Sequence, residues 1–194
     1  RTALRRLIRA TEQNRGKTML RPVRRIVTTN DANGKSGVMI DDTAKNTITV
    51  LTELWITGAG KHDHMDGIDH AARSTQLEPP KGGTLFRYFE IPPESETAHL
   101  SPAEKQQAAA DWFAAMNGAH LRPDTSKHPG MHKSTTTDYI ILLKGEITLV
   151  LDKEERTLQP LDCVVQRGTN HAWVNRSKEN ALLMAVLIDD GSHG

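Results

Sequence analysis

A chain of 194 residues carrying 37% apolar and 25% charged residues has room for one domain with a real core, and is neither a disordered chain nor two ordinary domains joined by a linker. Aromatic residues make up only 4%, so that core must be mostly aliphatic, and the single cysteine, Cys163, excludes an intrachain disulfide or a thiolate metal cluster within one subunit and suits a reducing, cytoplasmic setting. The net charge of +1 hides an asymmetry, since residues 1–25 hold nine Arg or Lys against one acid and the remainder holds 16 basic against 23 acidic residues, a net −7.

Residues 1–25 therefore read as a basic N-terminal arm, followed by one domain over 26–194. Leu4, Leu7 and Ile8 share a helical face in the arm, and Met19 is a candidate start. Such an arm suits nucleic acid, an anionic surface or an organelle address, but a solvated helix is the plainer reading, and no nucleic-acid partner is expected. The longest apolar run, Ala181 to Ile188, is too short to span a bilayer, so a soluble protein without a membrane partner is expected.

The folded part is expected to begin near Val23 or after Gly37. Val38-Met39-Ile40 and the β-branched run Thr47 to Thr57 read as two strands able to pair as a hairpin. Residues 58–83 lack periodicity and are punctuated by Gly and Pro, which predicts a long loop; its His62, His64 and His70 are read as exposed rather than as a metal site. Thr84 to Ile91 reads as a strand stopped by Pro92-Pro93. Within it, Arg87 shares the parity of Leu85 and Phe89, which points to an inward cation for a substrate carboxylate, with an exposed edge position as the alternative.

The one clear helix spans 101–117. Ser101 supplies an N-cap, Pro102 the first helical position, Glu104 a capping box and Asn117-Gly118 the stop. Ala108, Trp112, Phe113 and Met116 form its apolar face, either packed on the body of the protein or acting as a lid. From residue 130 onward, short apolar strands alternate with tight turns, which predicts an all-β sandwich or barrel. Cys163 alternates with Val165 and is expected as a buried, inert thiol.

His132, Ser134 and Asp138 share one parity, as do His171, Trp173 and Asn175. Were those two strands neighbours, two imidazoles and a carboxylate would converge, the donor set suited to a divalent transition metal with positions left open for substrate. Spacing alone leaves a pair of ordinary strand histidines as the alternative. Ser134 beside His132 and Asp138 has the residue types of a hydrolytic triad but lacks the nucleophile elbow and oxyanion elements.

The segments Pro129-Gly130-Met131-His132 through Asp138 to Lys144-Gly145, and Pro160-Leu161-Asp162 through Arg167-Gly168-Thr169-Asn170-His171-Ala172-Trp173-Val174-Asn175, resemble the two cupin motifs in the family's order, over about residues 128–188. The run Gln166 to Ser177 is similar to that of small bacterial and fungal cupins, some of them tied to secondary metabolism and named as oxidoreductases. The resemblance implies an all-β cupin double-stranded β-helix, or jelly-roll barrel, with one inserted α-helix, commonly a homodimer. It also implies a divalent metal (iron, manganese, nickel or zinc) on His132, Asp138 and His171. Ser134 in the first motif, with Trp173 and Arg87 by their parity, are the candidate catalytic residues contacting substrate, core filling being the alternative for Trp173. The expected function is that of an oxidoreductase or dioxygenase, or a lyase or isomerase, acting on a small organic molecule; a metal-free ligand-binding cupin or sensor is the alternative. The chain departs from the motifs at Ser134, where the second histidine stands, at Asp138 for the usual Glu, at Leu161 for the turn glycine and at Arg167 for the proline.

Overall fold

The computed structural model describes residues 21–60 and 64–189. Most of the basic arm, including the Leu4, Leu7, Ile8 face, and His62 lie outside the described residues. Eleven strands run in chain order: β1 Arg24–Asn30, β2 Ser36–Thr43, β3 Thr47–Ile48, β4 Leu51–Thr57, β5 Thr84–Ile91, β6 Thr137–Lys144, β7 Ile147–Leu151, β8 Glu155–Leu158, β9 Cys163–Arg167, β10 His171–Val174 and β11 Ala181–Ile188. A single α-helix among the described residues, α1 Pro102–Ala115, is inserted between β5 and β6. None of the described helices is long and apolar enough to cross a membrane.

The strands form a six-stranded sheet in the order β3-β4-β5-β11-β6-β9, a three-stranded sheet β10-β7-β8 and the separate ribbon β1-β2. The two larger sheets face each other across one core. Leu85, Ile140, Leu142, Leu183, Ala185 and Leu187 come from the first sheet, Ile147, Leu158 and Trp173 from the second, and all pack together. Period-2 alternation puts these residues on the inner face and leaves Tyr139, Ile141, Leu143 and Val165 exposed on the outer one.

Three expectations change. The hairpin of 38–40 with 47–57 does not form, because β2 pairs with β1 while β4 pairs with β3 and β5. Thr49, with φ of 48°, breaks the 47–57 run in two. Cys163 is exposed, because the inner positions of β9 belong to Val164 and Gln166. β1 begins next to Val23, one of the two expected starts of the folded part, and in it Arg24 pairs with Asp41 and Arg25 with Asp42 and Asp69.

The capping box of α1 is complete: the Ser101 hydroxyl accepts from the Glu104 amide, and the Glu104 carboxylate accepts from the Ser101 amide at 2.9 Å. Its apolar face docks as a plug. Phe113 and Met116 are buried with Leu51, Leu77 and Leu121, and the Trp112 indole donates to Thr49 Oγ1 at 2.6 Å.

Candidate functional site

His132 lies just ahead of β6 and pairs with His171, the first residue of β10, through two backbone hydrogen bonds of 2.9 Å, one in each direction. Directly paired residues on antiparallel segments project to the same face. The two imidazole rings accordingly stand 4.3 Å apart between centroids. The Phe113 ring from α1 sits 5.0 Å from His132, and the Trp173 ring meets His171 edge-on at 5.9 Å. The helix expected to pack or to act as a lid thus puts one aromatic side chain against the histidine pair.

Each imidazole is held in one tautomer. His132 Nδ1 is 3.0 Å from the Gly130 carbonyl and His171 Nδ1 is 2.9 Å from the Thr169 carbonyl. A carbonyl oxygen only accepts, so each Nδ1 carries the proton and each Nε2 keeps its lone pair. No hydrogen bond among the described residues occupies either Nε2. Burial, with the neighbouring His132 as a further cause, pushes the His171 pKa down to about 3. Burial lowers that of His132 as well, helped by the positive charge of Arg122 and opposed by the Gly130 carbonyl. Both rings are neutral at physiological pH.

Asp138 does not join them. It stands on β6 of the facing sheet, opposite Leu187 and Gln166. Among the described residues no group of three His, Cys, Asp or Glu side chains lies close enough together to hold one metal ion. The imidazoles supply two of the three donors expected from the sequence, and the residues present do not fit the three-ligand centre. Asp138 nonetheless has an unusual environment. Its Oδ1 is buried with no hydrogen-bond partner, and burial pushes its pKa up to about 6 against the opposing effects of the Thr136 hydroxyl and Arg87.

Arg87 requires a correction. It is inward-facing and fully buried, as its parity indicates, and it is not the exposed edge residue of the alternative. Yet its guanidinium is spent within the protein: Nη2 donates to Glu53 Oε1 at 2.7 Å and Nε to Glu53 Oε2 at 3.3 Å, while Nη1 and Nη2 reach the Leu77 and Gln76 carbonyls at 3.0 and 2.7 Å. Glu53 and Arg87 sit directly opposite each other on β4 and β5. A substrate carboxylate would have to displace all of this, so Arg87 is a structural cation. Glu53 was missed although the sequence carried a signal: an acid at an inner position of an apolar strand requires a partner.

Ser134 is buried, and its hydroxyl is bonded to that of Thr136 at 2.7 Å, which continues the polar row toward Asp138. Trp173 is half-buried, with one side against the aliphatic core and an edge toward His171. Asn175 is committed to the Ile91 and Glu179 carbonyls at 2.8 and 2.7 Å and serves the turn before β11. In the 58–83 loop, His70 pairs with Asp66 at 2.7 Å and lies against Trp55. The residue that sequence reasoning overlooked at the site is Arg122. Nothing in Leu121-Arg122-Pro123 announces that its guanidinium lies over the Phe113 ring, 5.3 Å from the centroid.

Residues 119–187 match the model of the family described as Cupin domain. The phomopsin biosynthesis cluster protein C' of Diaporthe leptostromiformis is 56% identical over 48 residues, 24% of this chain and 25% of that protein. The oryzines biosynthesis cluster protein J of Aspergillus oryzae is 41% identical over 103 residues, 50% of this chain and 57% of its own length. The cupin-domain-containing oxidoreductase fogC of Aspergillus ruber is 36% identical over 63 residues, 30% of this chain and 31% of that one. The chain thus spans from a quarter to 57% of the length of these relatives. Among solved structures, a Cupin 2 conserved barrel domain protein from Salinispora arenicola superposes with a TM-score of 0.34 at 18% identity, over 55% of this chain and 63% of that one.

Proposed function

Because residues 119–187 match the cupin-domain family, we propose that this chain is a cupin enzyme acting on a small organic molecule in natural-product assembly, with His132 and His171 as its reaction centre. The observation that carries this reading is the tautomer lock: two neutral imidazoles 4.3 Å apart, each with Nδ1 on a carbonyl and Nε2 unoccupied by protein. Such a pair presents two fixed lone pairs that can accept hydrogen bonds from a bound molecule at Nε2 and so orient it, while burial keeps the rings uncharged. Phe113 and Trp173 supply flat apolar walls for the substrate body. Asp138, on the facing sheet, is a carboxyl able to carry its proton near pH 6. The relatives named as oxidoreductases make redox chemistry on a small molecule the reaction class to test first. A divalent metal on the two Nε2 atoms would supply Lewis acidity or redox capacity, but without a third assembled donor no step above depends on it.

The test compares protein purified without a His-tag or nickel with its His132→Ala and His171→Ala variants. Conversion of metabolites in an organic extract from a fungus that carries a related cluster is followed by mass spectrometry, and metal content by elemental analysis. The wild type is expected to consume at least one metabolite, and each variant to lose that activity on the order of 100-fold or more. Conversion undiminished in both variants would remove the pair from the chemistry. Metal present in the wild type and absent from both variants would make the centre metallic, and conversion without metal would leave it acid–base. The unassembled third donor favours one rival, a metal-free binding cupin, which would retain a ligand and convert nothing.

A further inference from the structure

The arginines in the interior of this protein are not alike. Arg25 is almost fully buried and meets Asp42 and Asp69; Arg87 is fully buried and meets Glu53. Arg122 is half-buried and has no carboxylate among the described residues. Its Nη2 donates to the Pro129 carbonyl at 2.8 Å and to the Gln106 side-chain oxygen at 3.3 Å. Its Nε is buried and has no hydrogen-bond partner among the described residues. A guanidinium removed from water without an anion is costly, and a buried N–H without an acceptor adds to that cost.

The location of this cation gives the cost a meaning. Arg122 follows the short 3-10 turn Ala119–Leu121 beyond α1, and its guanidinium lies on Phe113, whose ring in turn lies 5.0 Å from His132. The field of Arg122 is felt at His132, where it disfavours a second positive charge. The aromatic groups beside it carry no charge: two imidazoles, Phe113 and Trp173. A free cation next to two neutral bases is suited to a ligand that brings the negative charge itself.

We propose that Arg122 is the anion anchor of the His132–His171 site, so that the molecule held there carries a carboxylate or equivalent oxyanion on a flat, unsaturated body. Among the described residues the two hydrogens of Nη1 have no acceptor and are left for charge-assisted bonds to an oxyanion, and the aromatic rings beside the guanidinium match an aryl or conjugated skeleton. This inference rests on the reading of the histidine pair as the site, and it names the class of substrate that the site takes.

The probe is benzoate, with benzamide as its neutral isostere. Binding is read by NMR from the imidazole signals of His132 and His171 and the indole signal of Trp173 in the full chain. The wild type is expected to bind benzoate about 10- to 100-fold more tightly than benzamide, the range of a charge-assisted hydrogen bond, with shifts at those three side chains. Arg122→Met should erase the preference while leaving benzamide binding in place, which also shows that the variant is folded; Arg122→Lys should restore part of it. Equal affinity for the two probes, no benzoate binding up to its solubility, shifts confined to other residues, or a preference that survives in Arg122→Met would each overturn the proposal. The binding readout is separate from turnover. Benzoate held through Arg122 in a protein whose His132→Ala and His171→Ala variants still convert substrate would keep the anchor and discard the reaction centre. Loss of conversion in those variants without an Arg122-dependent preference would do the reverse.

Discussion

Two of the polar constellations inside this protein differ in how fully they are satisfied. On the six-stranded sheet, Arg87 and Glu53 are both fully buried, and the pair closes on itself: the guanidinium makes four hydrogen bonds to a carboxylate and two carbonyls. Around the histidine pair, the bonds stop short. Both Nδ1 atoms are tied, but among the described residues both Nε2 atoms, the Arg122 Nε and, on the opposite wall, the Asp138 Oδ1 have no hydrogen-bond partner. Burial of a polar group is compatible with either a structural or a chemical role, and satisfaction separates the two. A group whose valences are all filled within the protein holds the fold, whereas one left open is available to a ligand.

The comparison breaks most visibly if one half of the closed pair is removed. Arg87→Met would leave Glu53 as an unpaired buried acid and should cost about 3–5 kcal/mol, read as a drop in the urea midpoint. Pairing it with Glu53→Leu should return most of that loss, because the charge and its counter-charge leave together. A single variant as stable as the wild type would mean that the pair is not what holds β4 against β5.

A smaller effect separates the open groups by pH. In the fold the Asp138 pKa is about 6, above the ~3.9 of a free aspartate, so the native protein binds more protons than the unfolded chain between those values. The stability from this group is complete below pH ~4 and is lost as pH rises through about 6, an amount on the order of 2–3 kcal/mol. His171 works in the opposite sense. With its pKa depressed to about 3, its contribution is present above ~6.5 and falls as the solution becomes acidic. Asp138→Asn should therefore gain stability relative to wild type at pH 7.5 more than at pH 4.5, and its acid loss should be steeper. Equal differences at the two pH values would show that Asp138 is an ordinary surface-like carboxylate.

The smallest effect concerns neither constellation but calibrates both as a measure of local strain. Leu161 holds φ at 76°, the left-handed region that the turn glycine of the second motif would adopt freely, and its side chain is 78% exposed. A leucine there costs about 1–2 kcal/mol relative to relaxed backbone, so Leu161→Gly should raise Tm slightly despite the greater freedom of glycine in the unfolded chain. At Gly145, by contrast, a Cβ would come within 2.8 Å of the Asn180 carbonyl, so that turn has no room for a side chain.

Much of the architecture was legible because it depends on local regularities. The capping box at Ser101 and Glu104, the alternation in 139–151 and the parity of His171 with Trp173 depend on helix termini and the pleat, which act over a few residues. The pairing of β2 with β1 rather than with the next strand was not legible, since apolar runs show that strands exist but not which edges meet. Cys163 came out exposed because parity places residues on alternate faces without saying which face is inside.

The same division runs through the site. The sequence by itself determined an all-β fold with one capped helix and a resemblance to the two cupin motifs, and it gave His132 and His171 compatible parities. Tertiary structure decided the rest: that these two residues are cross-strand partners, that Asp138 belongs to the opposite wall, that Arg87 is consumed by Glu53, and that Phe113 and Arg122 arrive beside the histidines from a segment some ten to twenty residues earlier. The reason is physical. Which groups are left unsatisfied depends on every neighbour that packs around them, and those neighbours come from strands and loops that only the closed barrel brings together.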